Sequence, residues 1–433
     1  MREVNRNRRR WLGWGLLAAG FLLVSLHRAA TAVLSGELMA AFDTTGAGLG
    51  LLHASFFYLY AAFQLPAGLL TDRYGARVIA ATGTGAMSLG AIGFGLAGSY
   101  PVAFGARLVI GLGGSVLFVA VLRFAASWFR PDEFGTMTGV TFAAGILGGL
   151  AATTPLAVAV STLGWRPSIL GLGLLGLAVT AGIARLAQDS PAKAGYEPLE
   201  AVPERPEVTA ADLKQHTIDA LRSADTWLLG GVLFLVVGVG ITIIGLWAIP
   251  YLVQAYGLTV TEASVYLLIG NVGGMVGPTA IGWLSDRLGR RTELIVLSAL
   301  SVGATWGIFA VFGTIPLLLV AAVFFLSRVV AGGVPLAFAV MRERHPEGAS
   351  GTVIGIVNTM AWIGASVFPV VMGAALDAYW TGELVDGSRV YTLTGYRVAF
   401  GIALVAGLLA AGLALVLHYK LRRTRPKQPA GSG

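Results

Sequence analysis

The residue of this chain best placed to do chemistry is Arg28, an arginine about 17 residues into an apolar stretch. It follows His27, and both lie between long runs of Leu, Ala, Val and Gly. An unpaired charge at mid-membrane costs roughly 2.5–3.5 kcal/mol on insertion scales, so a charge in such a stretch is a candidate functional group by default. No Asp or Glu lies in the middle of any apolar stretch to neutralise it. A guanidinium so placed can take a carboxylate or phosphate bidentately; hydrogen bonding to helix carbonyls is the alternative. His27 and His53 are the embedded groups able to titrate near neutral pH, and so to carry a proton or touch a substrate. His53, Phe57, Tyr60 and Gln64 recur with the 4-3-4 spacing of one helical face. That face could line a cavity with apolar walls and a few polar contacts. Trp247, Tyr251, Asn271, Asn358 and Trp362 are the later residues able to face the same space. Arg107 and Arg328, each in Arg-x-x-x-Gly, sit nearer the outer ends of their stretches, where structural roles are at least as expected as substrate contact. No P-loop, no metal-ligand spacing and no nucleophile with an evident base is found, so no enzyme, metal site, cofactor or ATP-driven pump is expected.

The elements that must position these residues follow from hydropathy. Mean hydropathy is +0.76 and 56% of residues are hydrophobic. Stretches of about 20 apolar residues cross a hydrocarbon core of about 30 Å as helices, and the alternating pattern of a β-barrel is missing. About twelve membrane helices are expected, over 11–35, 46–70, 78–98, 101–124, 135–160, 166–187, 226–254, 261–284, 293–313, 316–340, 351–375 and 397–420. The fold class is therefore an all-α polytopic membrane protein. A basic N-terminus (1–10) precedes a first six-helix bundle (11–187), and a basic tail (421–433) follows a second (226–420). The proline-rich polar interval 188–225 reads as a linker, with a short amphipathic helix around 212–221. The first apolar stretch lacks a convincing cleavage site and reads as a retained helix.

The net charge of +8 is distributed by side. With the N-terminus cytoplasmic, 24 of the 30 Lys and Arg fall in cytoplasmic segments. Arg166, Arg389 and Arg397 fall outside, and Arg28, Arg107 and Arg328 lie within spans. The positive-inside rule then puts both termini in the cytoplasm of a multi-pass cell-membrane protein. The basic balance reports topology and contact with anionic lipid rather than nucleic acid. There is no cysteine, hence no disulfide. The outer loops are short except 376–396, and a monomer is expected.

A charged block occurs twice, as Gly68-x-x-x-Asp72-Arg73-x-Gly75-x-Arg77 and Gly282-x-x-x-Asp286-Arg287-x-Gly289-x-Arg291. Gly135-Thr136-x-x-Gly139 matches Gly351-Thr352-x-x-Gly355, and Arg107 with Gly111 matches Arg328 with Gly332. Such pairs indicate a duplicated membrane unit. Gly68 and Gly282 would let neighbouring helices approach closely. Asp72 and Asp286 would meet the positive N-terminal end of a helix from the other half, together with an arginine. Arg123 or Arg130 is the expected partner of Asp72, and Arg342 or Arg344 that of Asp286. These contacts would latch the cytoplasmic side.

With these motifs after spans 2 and 8, the whole chain resembles a major facilitator superfamily transporter. The resemblance implies two six-helix bundles around a cavity that opens alternately to either side. His27-Arg28 and Phe56-Phe57-x-x-Tyr60-x-x-x-Gln64-x-Pro66-x-Gly68 resemble the anion:cation symporter branch. That branch implies a small organic anion, such as a carboxylate, coupled to protons or to a counter-anion. His27 and Gly114 stand where that branch often has Asp and Glu, which departs from its usual proton route. Span 5 lacks the Gly-Pro of drug:proton antiporters. An exporter of amphipathic compounds and a non-transporting membrane sensor remain as other readings.

Overall fold

Within lipid every backbone N–H and C=O must be satisfied inside the segment, so uninterrupted apolar sequence forms helices. The computed structural model describes residues 2–197, 210–344 and 347–424. Among them eleven helices are long and apolar enough to span a membrane, and one bent pair makes a twelfth. In the first half these are α1 (Arg6–Ala29), α2 (Gly46–Ala62 with Pro66–Tyr74), α3 (Ala76–Gly95), α4 (Tyr100–Trp128), α5 (Pro131–Leu163) and α6 (Trp165–Leu186). In the second they are α7 (Ala224–Tyr256), α8 (Val260–Leu288), α9 (Arg291–Phe312), α10 (Leu317–Arg344), α11 (Thr352–Asp377) and α12 (Leu393–Arg423). The 58° bend in α2 lies beside Pro66, which has no N–H to give to the carbonyl one turn back. A helix at Ala210–Arg222 lies in the expected linker.

The halves repeat one packing scheme. In the first, α3 packs on α6, α2 on α4 and α1 on α5; in the second, α9 packs on α12, α8 on α10 and α7 on α11. Between the halves the main contact is α2 against α11, flanked by α5 against α8.

One expectation needs correcting, and one loop gains detail. The stretch 11–35 is not one helix: it breaks at Ala30, and a separate helix, Thr31–Phe42, packs against the far end of α7. The loop 376–396 carries a two-stranded antiparallel hairpin, β1 (Trp380–Val385) and β2 (Ser388–Tyr391). Its turn is Asp386-Gly387, both with positive φ (49° and 77°), the pairing that two-residue hairpin turns favour.

At the opposite end from the hairpin, Asp225 is nearly buried at the start of α7. It accepts from Arg344 Nε at 2.9 Å and Lys420 Nζ at 2.7 Å, joining α7, α10 and α12. Arg344, one expected partner of Asp286, is thus engaged elsewhere. Breaking a buried pair costs about 3–5 kcal/mol, and the half-exposed cations here reduce that to about 1–3 kcal/mol. Asp225→Ala is therefore expected to lower the melting temperature in detergent by several degrees. An unchanged melting curve would show that the cluster contributes nothing.

Candidate functional site

The helices α1, α5, α7, α8, α9, α10 and α11 leave a cavity of about 420 Å³ between them, a volume suited to a small molecule. Arg28, Asn271, Arg328, Asn358 and Trp362 line it, and among the described residues no Asp or Glu does. Neither arginine has an ion pair among the described residues. Arg28 lies over the ring of Trp362 at 5.4 Å. Arg328 has a buried Nε with no hydrogen-bond partner among the described residues. A π-helical turn at Ile243–Trp247 of α7 brings Ile244 and Gly245 to the wall.

The other expected ligand contacts lie outside the cavity in this conformation. His27 and His53 are buried, and both ring nitrogens of His53 lack partners. Phe57 stacks on Trp362 at 5.9 Å, and Tyr60 meets the same ring edge-on at 4.8 Å. Gln64 Oε1 accepts from Asn358 Nδ2 at 3.3 Å. The predicted face of α2 therefore packs on α11 rather than on open space, because the two halves touch there. Trp247 is buried against Tyr391. Tyr251 is enclosed by Phe309, Tyr396 and Phe400, and its hydroxyl donates to the Gly313 carbonyl.

The two arginines of the repeat have different surroundings. Arg107 is fully buried over the rings of Phe56 (6.0 Å) and Phe94 (5.6 Å). Arg328 instead reaches the cavity. Aligning the halves on Gly68 and Gly282 places Gly270, Asn271 and Gly274 opposite Phe56, Phe57 and Tyr60. A methyl on Gly274 would lie 3.3 Å from Arg328 Nη2. Loss of the aromatic face opens the space that Arg328 occupies. That alignment was available in the sequence.

At the motif end, Asp72 pairs with Arg123 at 3.2 Å, one of its two expected partners. Arg130 instead precedes α5, where its backbone N–H donates to Glu133 Oε2 at 2.9 Å. Asp286 pairs with Arg291 at 3.3 Å rather than with Arg342 or Arg344, and Arg291 also meets Glu343. Each pair stays within its own half. Arg77 donates to the Ala184 carbonyl near the end of α6, while Arg73 lies over Tyr74 and Arg287 over Trp283. Among the described residues nothing lies within 4 Å of a methyl placed on Gly68 or Gly282, so the expected close approach is not made there in this conformation.

The hairpin end is closed around Asp377, a residue the sequence did not single out. The Asp377 carboxylate, at the end of α11, accepts from the Gly46 and Ala47 amides at 2.7 and 2.8 Å. Those amides are the free N-terminal donors of α2 in the other half, where a negative charge is favoured. Arg389 and Tyr391 of the hairpin reach the same carboxylate at 3.3 Å each. Burial, then the Asp377 charge, pushes the Tyr391 phenol up, so it stays a donor. Gln254 of α7 holds the hairpin backbone, donating to the Arg389 carbonyl and accepting from the Tyr391 amide. Below this cap α2 and α11 touch backbone to backbone: a methyl on Gly50 would run into the Pro369 carbonyl, and one on Gly373 into that of Gly46.

Similar proteins agree with this architecture. A probable sulfoacetate transporter of Cupriavidus necator, SauU, is 25% identical, covering 84% of this chain and 86% of its own. The membrane sensor protein UhpC of Escherichia coli is 25% identical, with 87% and 86% covered. A hexuronate transporter of Bacillus subtilis is 24% identical, with 88% and 89% covered. Among solved structures, a bacterial homologue of the human lysosomal transporter Spinster superposes with a TM-score of 0.78 at 16% identity, covering 98% of this chain and 99% of that one. The nucleoside transporter NupG superposes with a TM-score of 0.74 at 12% identity, with 93% and 99% covered. The Major Facilitator Superfamily model matches residues 16–369 and 230–433. Duplicated helices, repeated motif and family match agree: this multi-pass membrane protein belongs to the Major Facilitator Superfamily.

Proposed function

We propose that the chain is a secondary transporter of a small organic anion, working by alternating access between its two halves. The observation that carries this reading is Arg28, facing an inter-half cavity lined by no carboxylate among the described residues. A cationic cargo would want an acidic partner there, and a neutral one would leave the guanidinium uncompensated. Asn271 and Asn358 are placed to orient the anion, and Trp362 to cover it. Relatives named for sulfoacetate and hexuronate support an anionic cargo. With the basic motif end cytoplasmic, the conformation is shut outside by Asp377. The doubled Asp-Arg loops would close the inner side in the opposite state. His27, buried next to Arg28, is the group proposed to couple protons, with exchange against a second anion as the other coupling.

Thermal-shift screening of organic and inorganic anions, at two pH values, followed by counterflow in proteoliposomes, tests the reading. Anions are expected to stabilise the protein and to exchange across the bilayer. Stabilisation by cationic amphiphiles alone would favour the exporter reading. Anion binding without counterflow would favour a sensor, as one relative's name suggests.

A further inference from the structure

Resting on the anion reading, the next question is how many negative charges the cavity takes. We propose that Arg28 and Arg328 together bind a small anion carrying two negative charges, one guanidinium coming from each half. Both side chains line the same cavity, and no acidic side chain among the described residues faces either of them. Arg328 Nε is buried and unpartnered, a donor still lacking its acceptor. The surroundings leave room for that acceptor. Gly240 and Gly274 flank the guanidinium, where a methyl would lie 3.9 Å from Nη1 and 3.3 Å from Nη2.

The comparison with the first half argues that this arrangement is particular to the site. Arg107, the repeat partner of Arg328, is covered by Phe56, and the position matching Phe56 is Gly270. The position matching Tyr60 is Gly274. One half thus shields its arginine with rings, while the other exposes its arginine to the cavity. Two cations facing one poorly solvated space repel each other. A monoanion would neutralise one and leave the second, whereas a dianion neutralises both. The same chemistry is met by two separated anionic groups, as in a dicarboxylate or sulfocarboxylate, or by a doubly ionised phosphate monoester.

The test uses the purified full-length protein in nanodiscs, with binding read from tryptophan fluorescence, since Trp306 and Trp362 line the cavity. One arm compares malonate, succinate and sulfoacetate with their monomethyl carboxylate esters. The other compares glycerol 3-phosphate with its methyl phosphodiester. At least one dianion is expected to bind roughly tenfold or more tighter than its monoanionic partner, about 1.4 kcal/mol. The arm in which this happens identifies the source of the charge. Arg328→Gln should remove most of that preference, and Arg328→Lys should restore part of it. Equal affinity for the members of every pair, or a preference that survives Arg328→Gln, overturns the proposal. If Arg328→Gln fails to fold, the wild-type comparison and Arg328→Lys still decide it. If no anion binds in either arm, the transport reading itself fails. Monoanions bound without preference, in an Arg28-dependent way, defeat only this inference.

Discussion

Arg28→Ala is expected to weaken anion binding by roughly 100-fold or more while raising the melting temperature of the empty protein. The two effects have separate causes. A hydrogen bond to a charged group is worth about 1.5–3 kcal/mol, so losing a bidentate contact removes about 3 kcal/mol or more of binding, and every 1.4 kcal/mol is tenfold. In the empty protein the same guanidinium has no ion-pair partner among the described residues and faces the cavity, so removing it relieves an uncompensated charge. Arg28→Lys should fall between, since it keeps the charge but loses the planar fork. Lost binding together with raised stability cannot come from misfolding. Retained counterflow in Arg28→Ala proteoliposomes would rule out Arg28 as the anion's anchor.

The second large effect lies at the hairpin end. Gly373→Val should prevent closure there, because a side chain would be driven into the Gly46 carbonyl. Asp377→Asn should act in the same direction but more weakly, keeping an acceptor while losing its charge. Because the chain has no cysteine, a single Thr153→Cys in the cavity wall gives a reporter free of background. A membrane-impermeant maleimide added on the hairpin side is expected to label it roughly tenfold faster in the Gly373→Val background, with counterflow lost. Labelling at the parent rate would mean that this contact is not the gate.

The fold was legible because hydropathy and the doubled motif are properties of long segments that packing cannot override. Arg28 was legible for a similar reason: a charge in an apolar stretch is conspicuous whatever surrounds it. Arg328 met the same criterion, yet its likeness to Arg107 suggested a shared structural role. The difference lay in neighbouring positions, where glycines in α8 replace the rings of α2. The α2 face of His53, Phe57 and Tyr60 has the spacing of a lining, but which helix covers it depends on the conformation. Asp377 gave no signal, because its partners across the halves are backbone amides, and amides leave no trace in a side-chain pattern. The motif carboxylates were matched to arginines by charge alone, which found Arg123 for Asp72 but could not anticipate that Asp225 would engage Arg344.

Under the proposed alternating access, the Asp377 cluster would also decide which groups part at the hairpin end. Arg389, Tyr391 and Gln254 all belong to the second half and brace the carboxylate or its hairpin from that side. Only the two amides of Gly46 and Ala47 belong to the first. If the mouth opens as proposed, the hairpin would travel with α7 and α11, and the first half would give up the Gly46 and Ala47 amides, the Ser388 contact to Met39 and the Ser264 contact to Thr154. Water could take over both amides at once, so under the proposed alternating access this carboxylate contact would break without leaving a buried donor unpaired.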